Sequence, residues 1–234
     1  MKKIAYFASV LALAVSTQAA SYKIAGYPIP LMIESSTSGL FVEIVQELIQ
    51  RTGEDFEIVV FPAQRTVASF HAGEIDAFFP ALDVLIEKEK AASEPMYVKC
   101  DFAFTRKGEP ELKSIADLEG KKVGITAGYP YVKELTTNPK ITLDIGPNDE
   151  ANIRKLSAGR IDVFVVEEKT GVVALQQAGV DNVTYPAGSP ISQQNVYIAF
   201  QATDAGKAQA GKFSKALQEM KQDGSFGKIM ERAK

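Results

Sequence analysis

Ala72-Gly73-Glu74-Ile75-Asp76-Ala77-Phe78-Phe79 returns 86 residues later as Ala158-Gly159-Arg160-Ile161-Asp162-Val163-Phe164-Val165, with five of eight positions identical. Each copy closes a helix with Ala-Gly and opens a short apolar run that reads as a buried strand. Each also comes third in a strand–helix series. Upstream of the first copy, Tyr22 to Tyr27 reads as a strand, Leu40 to Arg51 as a helix with apolar residues at 41, 44, 45 and 48, and Phe56 to Phe61 as a strand stopped by Pro62. Gln64 to His71 is a short helix before the strand Ile75 to Pro80. Around the second copy, Lys122 to Thr126 is a strand, Tyr129 to Thr136 a helix beginning at Pro130, and Ile141 to Ile145 a strand. Asn148 caps a helix to Ser157, Ile161 to Val166 is a strand, and Glu167 to Gln177 a further helix. Alternating strands and helices predict an α/β chain with parallel sheets, here in two lobes of similar design.

Two extended stretches, Met96 to Arg106 and Asn195 to Gln201, flank the second series. They predict that the chain crosses into a second lobe and returns, so that helices over 204–220 and 225–233 pack on the first. The expected division is a leader over 1–20, lobe one over 21–103 and 197–234, and lobe two over 104–196. A body tethered twice bends at its crossings, where few torsions need change.

The leader reads from Met1-Lys2-Lys3, the apolar run Ile4 to Val15 and the small residues that follow. This is the pattern of a secretory signal peptide cut after Ala19 or Ala20, and the run is shorter than the ~20 residues that span a bilayer. Periplasmic export is therefore expected. Without Lys2 and Lys3 the chain carries 24 basic and 29 acidic residues, a net charge of −5, with no basic stripe. Nucleic acid is excluded as a partner. Cys100 and His71 are the single cysteine and histidine. They leave no internal disulfide, no His- or Cys-based zinc site and no serine triad, so no cofactor is expected. Cys100 reads as a small buried filler and His71 as an ordinary residue at a helix end.

Several of these segments together resemble a known family. Besides the two echoed stretches, Ser93-Glu94-Pro95-Met96-Tyr97, Asp117-Leu118-Glu119-Gly120-Lys121-Lys122-Val123-Gly124-Ile125 and Asp223-Gly224-Ser225-Phe226 stand in matching order and spacing. The chain resembles the family-3 extracellular solute-binding proteins, the amino-acid-type periplasmic binding proteins of ABC importers, over nearly its whole mature length. The resemblance implies the type II periplasmic-binding fold: α/β, two Rossmann-like lobes joined by two hinge strands. It also implies a monomer that closes on a small polar ligand, an amino acid or organic acid, and delivers it to an inner-membrane permease. The chain departs from the family where an arginine usually precedes the Ser-x-Pro motif to hold the ligand's carboxylate. Asp83 to Ser93 contains none, and Lys88 or Lys90 would be the substitutes, as point charges without the bidentate fork.

Open α/β sheets bind ligands at the carboxyl ends of their strands. In lobe one those turns carry Tyr27, Gln64, Arg65, Ala81 and Asp83. Tyr27 reads equally as a ligand cover or a core aromatic, and Arg65 equally as a carboxylate donor or a solvated surface residue. In lobe two, Thr126, Gly128, Tyr129 and Tyr131 surround the expected helix start at Pro130, which reads as an anion site walled by the two tyrosines. Glu167 stands where, by the resemblance, an acid pairs with a ligand ammonium. Two other readings stay open: a dehydratase on the same scaffold, using Glu167 or Asp83, and a ligand sensor without transport.

Overall fold

A computed structural model describes residues 21–86 and 88–233. The leader predicted over 1–20 lies outside them. The echoed junction does the same work twice. Gly73 and Gly159 end their helices with φ of 75° and 68°, in the left-handed region that glycine enters without strain. Ile75 and Ile161 are then buried, and the aspartate beside each turns back on the first strand of its lobe. The Asp76 carboxylate accepts the Lys23 N–H at 2.8 Å while its own N–H donates to the Lys23 carbonyl at 3.0 Å. Asp162 does the same with Lys122, at 2.8 Å for both bonds. These clamps take Ile-Asp out of the strand, so both third strands begin two residues later than the apolar run suggests.

The first series is β1 (Tyr22–Gly26), α1 (Leu40–Thr52), β2 (Phe56–Val60), α2 (Ala63–Ala72) and β3 (Ala77–Ala81). β1 lies between β2 and β3, parallel to both. Short β4 (Lys90–Ala92) leads to the long β5 (Tyr97–Arg106). The second series is β6 (Lys122–Thr126), α3 (Lys133–Thr136), β7 (Thr142–Gly146), α4 (Asp149–Ser157), β8 (Val163–Glu167) and α5 (Glu168–Ala178). The Asn148 side chain caps α4 through the Ala151 N–H at 2.8 Å. β9 (Val183–Thr184), the long β10 (Ser192–Gln201), α6 (Asp204–Gln222) and α7 (Ser225–Met230) complete the chain.

The sheet order is β2-β1-β3-β10-β5-β8-β6-β7. β10 pairs with β5 over Ser192–Val196, then with β3 from Tyr197. β5 pairs with β10 over Tyr97–Asp101, then with β8 over Asp101–Phe104. The two lobes join where these strands change partners. On the lobe-one side, α6 drives Phe213 edge-on into Phe56 and Phe200, at 5.5 and 5.2 Å between ring centres. Lobe two has separate clusters around Phe104 and Phe164 and around Val123 and Val165.

The helix expected over Tyr129 to Thr136 is a correction. Only Lys133–Thr136 is helical. Tyr131 is buried, accepts the Thr126 N–H at 3.0 Å and donates to the Val165 carbonyl at 3.1 Å. Gln194 holds the Pro130 carbonyl at 3.0 Å. These bonds keep 127–132 non-helical, and one turn of helix offers no developed dipole for an anion.

Candidate functional site

A cavity of about 350 Å³ opens between the lobes. Tyr27, Gln64, Val67 and Leu85 line it from lobe one, Gly128 and Pro130 from lobe two. Strand ends from both series thus meet across one space, and three residues expected from the sequence, Tyr27, Gln64 and Gly128, face it together. Tyr27 is largely buried and anchored by its hydroxyl, which donates to the Pro80 carbonyl at 3.0 Å.

Beside the cavity, lobe two presents a polar wall. Fully buried Asn152 donates to the Ile125 carbonyl and the Thr126 hydroxyl, both at 3.1 Å. That leaves the Thr126 proton for the Asp149 carboxylate, whose other oxygen accepts the Tyr129 hydroxyl at 3.0 Å. Burial pushes the Asp149 carboxyl above its ordinary range, against the lowering pull of both hydroxyls. Glu167 accepts the Tyr97 hydroxyl at 2.8 Å with one oxygen and caps α5 through the Thr170 N–H at 3.1 Å with the other. Burial, then the adjacent carboxylates, raise the Tyr97 and Tyr129 phenols above their ordinary range, so both remain donors at neutral pH.

The polar residues of β5 lay outside the sequence expectations. Tyr97, Lys99 and Asp101 alternate with Val98, Cys100 and Phe102, so in a strand they share one face. Lys99 pairs with buried Asp101 and lies over the Tyr131 ring, 5.2 Å from its centre. Ser192, across the ladder on β10, donates to Asp101 at 3.0 Å. The polar alternation is visible in the sequence of the crossing. Cys100 belongs to the other face, half-buried beside the Phe102 cluster, and burial raises its thiol. That environment suits the filler role.

Other expected residues do not line the cavity. Ala81 is fully buried opposite Tyr197 and can offer a ligand no side-chain contact. Tyr131 supports lobe two from inside instead of walling the ligand. Arg65 is exposed and stacks on Phe61, 4.3 Å from the ring centre. Asp83 accepts the Tyr197 hydroxyl at 2.6 Å and pairs with Lys90 at 2.9 Å, which hold its carboxyl below the ordinary range. Lys88 binds the Phe70 and His71 carbonyls and Gln201, so it is engaged within lobe one and does not replace an arginine. Thr126 meets the Asp149 carboxylate, so the turn expected to receive an anion is faced by one of the protein's own.

The model of the bacterial extracellular solute-binding proteins, family 3, matches residues 24–233. The chain belongs to that family. This solute-binding protein is 22% identical to the probable amino-acid-binding protein YxeM of Bacillus subtilis, over 88% of this chain and 79% of the relative. It is 25% identical to the lysine/arginine/ornithine-binding periplasmic protein of Escherichia coli, over 83% and 78%. Among solved structures, the GluR0 ligand-binding core from Nostoc punctiforme in complex with L-glutamate superposes with a TM-score of 0.71, at 18% identity, over 90% of this chain and 98% of that one. That likeness shows the shared fold. Among the described residues of this solute-binding protein, no cluster of three or more His, Cys, Asp or Glu is placed for a metal ion, and no helix is long and apolar enough to cross a membrane.

Proposed function

We propose that this solute-binding protein captures a small polar solute in the periplasm and presents it to an ABC importer by closing its lobes. The observation that carries the reading is the cavity lined from both sides of the two crossing strands. A solute touching both lobes gains contacts that the open form lacks, and only such differential affinity shifts the population. We place the lobe boundaries at 21–103 with 197–234, and at 104–196. Tyr27, Gln64 and Gly128 contact the solute, Tyr129 lies at the rim, and Glu167, steered by Tyr97, takes an ammonium group. Export follows from the basic start and apolar run of residues 1–20.

The protein acts as a receptor and not as a dehydratase. Asp83 is held charged and is a poor proton donor, and both oxygens of Glu167 already accept hydrogen bonds.

The test is a thermal-shift and calorimetry screen of the purified mature protein against amino acids, amines and organic acids. A true ligand at a hundred times its Kd adds about 2.7 kcal/mol of stability. Glu167→Gln should weaken an ammonium-bearing ligand by about tenfold or more. No stabilisation by any compound overturns the reading, and an unchanged Kd in E167Q overturns the ammonium role of Glu167.

A further inference from the structure

We propose that Asp149 is a specificity-determining residue, taking the second cationic centre of a dibasic solute, a diamine or basic amino acid, while Glu167 takes the first. The proposal rests on the solute-binding reading above and names the class of solute.

Position is the first support. The partners of Asp149 are Thr126 and Tyr129, in the turn whose Gly128 and Pro130 line the cavity. The Tyr129 hydroxyl donates to Asp149 at 3.0 Å, and the charges of Asp149 and Glu167 both act on that phenol.

Charge is the second. Hydroxyls and a backbone N–H hold both carboxylates, and among the described residues neither has an ion-pair partner. The cation acting on Asp149 is Lys99, already paired with Asp101. Asp101, Asp149 and Glu167 therefore stand against Lys99, a net charge of −2 over these four groups. An arriving cation relieves this imbalance, and an arriving anion adds to it.

Shape is the third. The lobe-one side offers Tyr27, Val67 and Leu85, suited to a methylene chain between two charged ends.

An asparagine at 149 keeps one acceptor for a hydroxyl and loses the charge, which separates recognition from packing. Calorimetry with lysine, arginine and putrescine, with glutamine and serine, and with glutamate and succinate tests the assignment. The dibasic compounds should bind about tenfold tighter than the others. Asp149→Asn should weaken them by about tenfold and change glutamine or serine by less than about threefold, with the melting temperature retained. If D149N fails to fold, Asp149→Ser replaces it in the same comparison. Equal losses for both classes, or none, overturn the assignment. Preference for glutamate or succinate also overturns it but leaves the solute-binding reading standing, whereas an inert panel overturns both.

Discussion

In lobe one the Asp76 carboxylate holds the Lys23 N–H at 2.8 Å, and in lobe two the Asp162 carboxylate holds the Lys122 N–H at 2.8 Å. One strand further on, Ala77 lies opposite Ile24 and Val163 opposite Val123. The lobes match at the ends of the sheet that face away from the cleft. At the cleft ends they part. Lobe one offers the apolar side chains of Val67 and Leu85 with the rim of Tyr27. Lobe two offers Asp149, which accepts the Thr126 and Tyr129 hydroxyls, and Glu167, which accepts the Thr170 N–H. A repeated frame with different inner ends lets one half supply shape and the other charge, without changing the strands that carry them.

The comparison can be broken most severely in the core. Phe78 and Phe164 hold equivalent places in the echo, and both are fully buried. Phe78→Ala and Phe164→Ala should each cost about 3–5 kcal/mol, read by urea unfolding. A loss below about 1 kcal/mol in one of them would mean that the repeat is confined to the sequence. The clamps come next. Asp76→Ala and Asp162→Ala should each cost about 0.5–1.5 kcal/mol and agree within about 0.5 kcal/mol, because each frees one N–H near solvent. Unequal losses would show that one junction relies on other contacts.

The smallest effect sharpens an asymmetry. Asp223 is held down to about 2 by Ser225 first and then by Arg51, a tie between α1 and the start of α7 on lobe one. A carboxyl depressed on folding contributes above its unfolded pKa of about 3.9 and loses that contribution as pH falls towards about 2. Asp223→Asn should flatten the stability profile in that window, and an unchanged acid titration would discount the tie.

Much of the frame was legible because Gly73, Gly159 and the apolar runs carry local information. The strand starts were misplaced by two residues at Ile75 and Ile161, since the pull of Asp76 and Asp162 on distant N–H groups leaves no periodic trace. The helix expected at Pro130 failed for the same reason. Its first residue suits a helix, but Tyr131 donates to the Val165 carbonyl of β8 and Gln194 of β10 holds the Pro130 carbonyl. At the site, Tyr27, Gln64 and Gly128 followed from the strand-end rule. Asp149 did not, because its partners Thr126 and Tyr129 lie 23 and 20 residues upstream, beyond the reach of any local pattern. Tyr97 and Lys99 were readable from alternation, although nothing in one strand says which face meets a cleft.

β10 and α6 come late in the chain, yet β10 lies against β3, and Phe213 of α6 closes the core around Phe56. The stretch between the crossings is continuous and can settle as soon as it has been made. The first eighty or so residues of lobe one must wait, with β3 paired to β1 but lacking β10, until the last forty or so arrive. The order of synthesis thus makes the earliest-made half of the molecule the last to be finished.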